Sequence, residues 1–311
     1  MSAVAPASAV SARRRRRGRR ATSRRADEVR TAFAMVSPAV TLIVLVAFLP
    51  VLYTIYLSLH QATVSHTGGF VGLDNYSAAL RDPVFTEALA NTTIFTVVSV
   101  SIELVLGLVV ALAINEAFRA RGLLRASVLV PWAFPVAISA LMWRLMLQDQ
   151  VGIVTYLAQT LHLTNNPILS DRTALMICAI GVDVWKTTPF MALLLLAGLQ
   201  TISREVIEAA LVDGATFVQR LFRITLPLLK PAILVALLFR TLDAWSVYDL
   251  FWVMSDRRLE SLSTYVYEGV RVSQLQFSTG AAAAVMVFLS SIAIALVYIK
   301  GLGARAFGDE G

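Results

Sequence analysis

Ser203-Arg204-Glu205-Val206-Ile207-Glu208-Ala209-Ala210-Leu211-Val212-Asp213-Gly214-Ala215-Thr216-Phe217-Val218-Gln219 is the stretch on which the fold turns. Ser203 is a good N-cap for a helix whose Val206, Ile207, Ala210 and Leu211 share one face. Asp213-Gly214 stops that helix, since glycine enters the left-handed region after a last turn at no steric cost. Thr216 to Gln219 then reads as a capping box opening a second helix, with Val218, Leu221, Phe222 and Thr225 on one face and Pro227 at its end. Each helix has about ten residues, fewer than the roughly 12 to 15 at which an isolated helix becomes marginal in water. Something must therefore cover the apolar stripe: the chain's own helices, a lipid surface, or a groove on a partner. Glu205, Glu208 and Asp213 argue against anionic headgroups.

On either side of this elbow the chain is too apolar for water. Of 311 residues 57% are apolar and 15% charged, and the mean hydropathy is +0.71. Soluble domains carry about 25% charged residues, so an ordinary cytoplasmic enzyme is excluded. A bilayer span needs about 20 predominantly apolar residues. Six windows meet that requirement: 31–59, 88–115, 126–147, 173–203, 231–254 and 278–299. Pro231 suits the first turn of the fifth. The expected architecture is an all-α integral membrane protein of six transmembrane helices spanning 31–303. Within it, 201–230 is an inside loop.

The charge of +7 is concentrated in a tail. Ten of the 27 basic residues fall in the first 30 positions, among Ala, Ser and Gly, and no aromatic side chains interleave them to stack bases. Residues 1–30 therefore read as a disordered cytoplasmic arm resting on membrane lipid rather than a nucleic-acid surface. With that arm inside, the inner segments hold 19 basic residues and the outer loops five, as the positive-inside rule requires. Both termini are then cytoplasmic, with a short tail at 304–311. Cys178 has no partner for a disulfide, and His60, His66 and His162 are scattered, so neither a catalytic set nor a metal site is expected.

Pro50, Pro131, Pro135 and Pro189 fall inside spans. Each removes a backbone donor, and the freed carbonyl must find protein or a water-filled cavity, whether the break serves a pathway or only packing. Charges inside spans cost about 2.5 to 3.5 kcal/mol each and usually face a cavity or one another. Asp183 and Lys186 stand three apart and can pair, as can Arg240 and Asp243. Glu103 reads as a tie to a neighbouring helix, and Arg144, near a helix end, as a side chain that snorkels to the interface.

Glu208-Ala209-Ala210, Asp213-Gly214-Ala215, Phe222, Ile224, Leu226-Pro227 and Pro231 stand at the spacing of the EAA motif. The chain thereby resembles the permease subunits of binding-protein-dependent ATP-binding-cassette importers. The likeness extends over nearly everything after the tail: Phe70 to Tyr76, Pro131-Trp132, Trp143, Trp185 to Phe190, Ala197-Gly198-Leu199 and Leu237 to Ala244. It is similar to the carbohydrate branch, to maltose-type first permease subunits and above all to trehalose importer permeases of the mycobacterial type.

The resemblance implies the type I importer permease fold in a bacterial inner membrane. It implies a coupling role toward an ATPase for Glu208, Ala209, Ala210, Asp213 and Gly214. It also implies a sugar pathway near Asp183, Trp185, Lys186, Phe190, Arg240, Asp243, Trp245, Tyr248 and Asp249, where carboxylates, amines and aromatic planes suit hydroxyl edges and ring faces. The implied partners are a second permease subunit, two copies of a nucleotide-binding ATPase and an extracytoplasmic sugar-binding protein. Relatives often follow the fifth span with a Gly-Gly-Pro turn, where this chain has Ser255-Asp256-Arg257-Arg258.

None of the three lysines, Lys186, Lys230 and Lys300, follows a glycine, so no Walker A loop is present and the chain is not the ATPase. No cofactor is expected on this chain, with ATP and Mg belonging to the partner ATPase. An alternative is an ion-coupled secondary transporter with Asp183, Asp243 or Asp249 carrying protons. Such folds usually show internal repeats, which the two halves lack. An intramembrane enzyme would need a nucleophile with a basic partner, and Cys178 has none in sequence.

Overall fold

The computed structural model describes residues 29–63, 65–115, 121–162, 168–272 and 277–303. The arginine-rich arm up to residue 28, Arg119 and the 304–311 tail lie outside these residues. Two units make up the chain, 1–56 and 57–311.

In the first unit the helix α1 (Val29–Ser58) begins two residues before the expected boundary. At about 1.5 Å per residue its 30 residues exceed the hydrocarbon thickness of a bilayer. It widens into a π turn over Val44–Phe48, just before Pro50. Proline has no N–H to offer the preceding turn, and the looser winding accommodates the loss.

The second unit begins with a short antiparallel hairpin, β1 (His60–Ala62) against β2 (Thr67–Phe70), followed by α2 (Asp74–Arg81). The Phe70 to Tyr76 motif does local work here. Gly72 takes φ +61°. Asn75 Nδ2 donates to the Ser58 and His60 carbonyls at 2.8 and 3.0 Å, closing orphan acceptors at a helix end. The hairpin is fastened to the last helix by Ser278 Oγ, which accepts from Ala62 N at 2.6 Å.

Then come α3 (Pro83–Asn115), α4 (Arg121–Ala133), α5 (Val136–Met146), α6 (Ile153–Thr160) and α7 (Arg172–Leu199). They are followed by α8 (Arg204–Val212), α9 (Phe217–Trp245), α10 (Asp249–Ser255), α11 (Leu262–Tyr267) and α12 (Phe277–Gly301). Among the described residues five helices, α1, α3, α7, α9 and α12, are long and apolar enough to cross a membrane.

The most extensive packing is between α3 and α7. The buried face of α3 mixes small and polar residues, Ala88, Thr92, Thr96, Ser99, Glu103, Gly107 and Ala111, with Phe85, Phe95, Val100 and Ile114, while Val97, Val105 and Val109 face outward. A soluble helix would keep the valines in and most of the hydroxyls out. In lipid no water drives apolar side chains inward, and small residues let backbones approach. A Cβ on Gly107 would sit 2.6 Å from Met191 Cγ, and one on Gly198 would sit 2.3 Å from Ala232 Cβ.

Two expected spans are interrupted. The third is not continuous over 126–147 but breaks at Phe134-Pro135 into α4 and α5, with Pro135 extended at ψ 143°. Proline ends the hydrogen-bond ladder and disfavours helical geometry at the residue before it. The fifth stops at Trp245 rather than running to Met254, and the chain turns through Ser246 to Tyr248 before α10. The Val247 carbonyl released there accepts from Ser261 Oγ at 2.7 Å.

A third difference concerns Pro227, which does not end the second helix of the elbow. Phe217–Arg220 passes through a π turn, Leu221–Thr225, straight into the fifth span. As at Pro50, widening the turn spares the helix from breaking.

Candidate functional site

Four of the intramembrane charges, Glu103, Asp183, Arg240 and Asp243, form one network across three helices. Arg240 on α9 is 1% exposed and Glu103 on α3 is 0% exposed. The guanidinium Nε donates to Glu103 Oε2 at 2.6 Å and Nη2 to Oε1 at 2.8 Å. Nη2 also reaches Asp183 Oδ2 on α7 at 3.0 Å, and Nη1 donates to Asp243. Thr187 Oγ1 donates to Glu103 Oε1 at 2.6 Å. A guanidinium buried in hydrocarbon persists only when its donors are taken up in this way.

Arg240 and Asp243 thus pair as their spacing suggested, and Glu103 is the interhelical tie expected of it. Asp183 and Lys186 are not hydrogen-bonded to each other. Lys186 Nζ donates instead to the Phe134 carbonyl at 2.5 Å, the acceptor exposed by the break before Pro135. A carbonyl with no helical partner is a strong acceptor in a medium without water. Arg144 is held at the end of α5 by two contacts. Its Nη1 donates to the Val253 carbonyl at 3.1 Å and Nη2 pairs with Asp256 at 3.1 Å.

Beside this network lies a cavity of about 190 Å³. Asp183, Lys186, Asp243, Tyr248 and Asp249 line it, with Val136, Ser139, Thr187 and Ser246 among the remaining wall residues. The other expected pathway residues pack elsewhere. Trp185 lies edge-on to Trp143 at 5.6 Å, and Phe190 stacks on Trp132 at 6.1 Å. Trp245 Nε1 donates to Ser290 Oγ at 2.9 Å, and Arg240 stands behind the wall, screened by its carboxylates. These large planar groups fill the seams between helices, where their area is most useful.

Ser139 and Thr187 are wall residues that the sequence reading passed over. A single hydroxyl in an apolar window carries no spacing signal. Its one hint was its place four residues after Pro135, in the half-helix that the break sets apart.

Residues 246–272 lie at the end of α9 opposite to its start at Phe217. Asp256 and Arg257 adopt φ 51° and 67°, so the Ser255 to Arg258 turn uses left-handed geometry without glycine. Its side chains hold it: Arg257 pairs with Glu268, and Arg258 Nη1 donates to the Leu169 carbonyl at 2.9 Å. Tyr248, Trp252 and Tyr267 cluster alongside, with ring centroids 4.9 to 5.9 Å apart.

At the other end, the elbow has the local structure its sequence dictates. Ser203 Oγ accepts from Glu205 N at 3.2 Å. Gly214 takes φ 76°, and Ala215 N closes on the Ala210 carbonyl at 2.9 Å, the six-to-one bond of a Schellman ending. Thr216 and Gln219 complete the capping box. Ala210 is buried, whereas Glu208, Ala209 and Asp213 are exposed. Leu211, Val212, Phe217, Val218 and Phe222 are also exposed, so much of the apolar stripe has no cover within the described chain. A cleft of about 360 Å³ under the elbow is lined by residues including Leu112, Leu199, Arg204, Glu208 and Arg220.

Comparison with known proteins bears on the family and the fold. The trehalose/maltose transport system permease protein MalF of Thermococcus litoralis is 38% identical, over 88% of this chain and 94% of that one. The trehalose transport system permease protein SugA of Mycobacterium tuberculosis is 40% identical, over 93% and 94%. A crystal structure of a bacterial importer of the acidic polysaccharide alginate superposes with a TM-score of 0.76 at 22% identity, covering 89% of this chain and 96% of that one. The ion-coupled alternative finds no support among these proteins. Residues 103–303 match the binding-protein-dependent transport system inner membrane component family, and the chain is a member of it, a multi-pass permease subunit with the importer permease fold.

Proposed function

We propose that this chain forms half of the translocation pathway for a disaccharide, trehalose or a maltose-like sugar. A second permease supplies the other half, and an extracytoplasmic sugar-binding protein delivers the cargo. ATP and Mg are used by two copies of a separate ATPase subunit, and both termini lie in the cytoplasm. The segment 201–230 is the coupling loop. Glu208 makes a polar contact with the ATPase, Ala209 and Ala210 permit close approach, and Asp213 and Gly214 hold the turn. The sugar passes along the wall containing Asp183, Lys186, Asp243, Tyr248 and Asp249. Trp185, Phe190, Arg240 and Trp245 support that wall from behind.

The observation that carries this reading is the elbow itself. The first arm is capped at both ends, and the second is capped at its start and continuous with the fifth span, yet they expose Leu211, Val212, Phe217 and Phe222, at the end of α9 away from the cavity. A rigid apolar knob of this kind suits helix-in-groove docking to a partner. The sugar assignment draws on the similarity to trehalose and maltose permeases.

The test is Gly214→Val, which strains a φ of 76°, and Glu208→Lys, which reverses a charge. Sugar uptake should fall in both while membrane insertion persists, and normal transport by both would refute the coupling assignment. For the cargo, trehalose with its binding protein should stimulate ATP hydrolysis of the reconstituted complex.

A further inference from the structure

The cleft of about 360 Å³ beneath the elbow is walled by α3, α7, α8 and the start of α9. Asn115 is the last residue of α3 and Leu199 the last of α7, so the cleft lies where two spans end, at headgroup depth. Three charged residues line it: Arg204 and Glu208 on α8, and Arg220 on α9. Glu205 and Asp213, the other two acidic residues that count in the sequence against anionic lipid, are not among the lining residues. The fold thus sorts the charges of the elbow by face, which their order along the chain does not reveal.

The two cations of the cleft are uncommitted. Arg144, Arg240 and Arg257 each meet a carboxylate of the chain. Among the described residues Arg204 and Arg220 have no ion pair, and Nε of Arg220 has no hydrogen-bond partner. Glu208 is equally unpaired, so two free cations stand in the lining against one free anion. Arg220 is half-buried, and a guanidinium presents its donors as a planar fork that matches the paired oxygens of a phosphate.

We propose that this cleft holds the headgroup phosphate of an anionic phospholipid of the inner leaflet, gripped by Arg204 and Arg220. One cation comes from each arm of the elbow, so a bound headgroup braces α8 against α9. A lipid suits the cleft better than a bare anion, because Leu112, Leu199, Ile202, Ile207 and Leu221 make much of the remaining wall apolar. A glycerol backbone and the first methylenes of its acyl chains cover such a surface, and a hydrated phosphate does not. The site rests on the coupling reading only for its leaflet, since that reading places the elbow at the inner face.

The test replaces Asn115, an exposed lining residue outside the elbow, with the photo-crosslinking amino acid p-benzoylphenylalanine. The intact complex is reconstituted into vesicles of phosphatidylcholine with a minority of phosphatidylglycerol, and the adducts on this chain are identified by mass. The ratio of phosphatidylglycerol to phosphatidylcholine adducts should exceed that of the vesicle by about fivefold, the enrichment one cation near the surface supplies. Arg204→Gln with Arg220→Gln should return it to the vesicle value, and Arg220→Lys, which keeps the charge, should retain most of it. Co-purification of the partner subunits shows that each variant is assembled. If the double variant is not, Arg220→Gln alone should lower the ratio. Adducts in the vesicle proportion in the parent, or an enrichment indifferent to glutamine at these positions, would overturn the lipid site. So would an adduct with the ATPase in place of lipid. An enrichment abolished by inorganic phosphate but not by chloride of the same ionic strength would give the cleft to a free phosphate instead. Enrichment in a protein whose Glu208→Lys and Gly214→Val variants transport normally would uphold the lipid site and remove the coupling reading. Defective transport by those variants without enrichment would do the reverse.

Discussion

Arg240 grips Glu103 across two helices through paired hydrogen bonds of 2.6 and 2.8 Å, with neither side chain more than 1% exposed. The pair joins α9 to α3, and through Asp183 and Thr187 it also holds α7. Removing one member of a buried pair costs about 3 to 5 kcal/mol, because the survivor stays charged and unpartnered. Arg240→Met should therefore strip folded protein from the membrane fraction, read by fluorescence-detected size exclusion. Glu103→Leu with Arg240→Met removes charge from both sides and should recover part of the loss. If the double variant is as poor as the single, the ion pair is not what holds the three helices.

Lys186 supports a different joint. Its ammonium closes the Phe134 carbonyl at the break between α4 and α5. A hydrogen bond to a charged donor is worth about 1.5 to 3 kcal/mol, and Lys186→Met both loses it and leaves the carbonyl bare. The variant should insert but melt lower, and its uptake should fall. Lys186→Arg keeps a donor and should fall less. Equal melting of Lys186→Met and the parent would show that the carbonyl finds another donor.

Two glycines on α7 give opposite expectations from the same substitution. A Cβ on Gly198 collides with Ala232 at 2.3 Å, whereas one on Gly181 meets nothing within 4 Å. Gly198→Ala overpacks the contact of α7 with α9 and should cost about 1 to 3 kcal/mol. Gly181→Ala should be neutral or stabilising by up to about 1 kcal/mol through helix propensity. Thermal unfolding of the detergent-solubilised complex separates the two, and similar values for both would contradict the packing described.

How far the sequence could be read follows from the range of the forces involved. The elbow was legible almost residue by residue, because Ser203, Gly214 and the Thr216 and Gln219 pair act on backbone groups within a few positions. The breaks at Phe134-Pro135 and after Trp245 were not. A proline in an apolar run can kink, widen or break a helix, and here Pro227 widens while Pro135 breaks. The outcome depends on who accepts or donates at the freed group. For Phe134 that is Lys186, 52 positions away in sequence. The charged residues of the site were visible as expensive groups in hydrocarbon. Their partners were not, since Glu103 and Arg240 stand 137 positions apart. Trp185, Phe190 and Trp245 were grouped with the cavity by the family resemblance, although each is taken up by a neighbour at a helix seam.

The turn before α11 carries a pH signature. Glu260 is half-buried, and burial raises its carboxyl above the ordinary range, opposed in part by the Thr264 hydroxyl donating to it. Glu268 adds repulsion and Arg257 a smaller attraction. A carboxyl raised in the folded state binds its proton more tightly there than in the unfolded chain. Its stabilising contribution is therefore fully present below the ordinary carboxylate pKa of about 4.3 and is lost as pH rises through the raised value. Glu260→Gln fixes the neutral form. The variant should melt close to the parent near pH 4 and progressively higher than it toward pH 7, as followed by differential scanning fluorimetry in detergent. Because Asn91 on α3 donates to the Glu260 carbonyl rather than to its side chain, that tether survives the substitution. A melting difference that is constant across this pH range, or that shrinks as pH rises, would mean that the Glu260 carboxyl is ionised in the folded chain throughout.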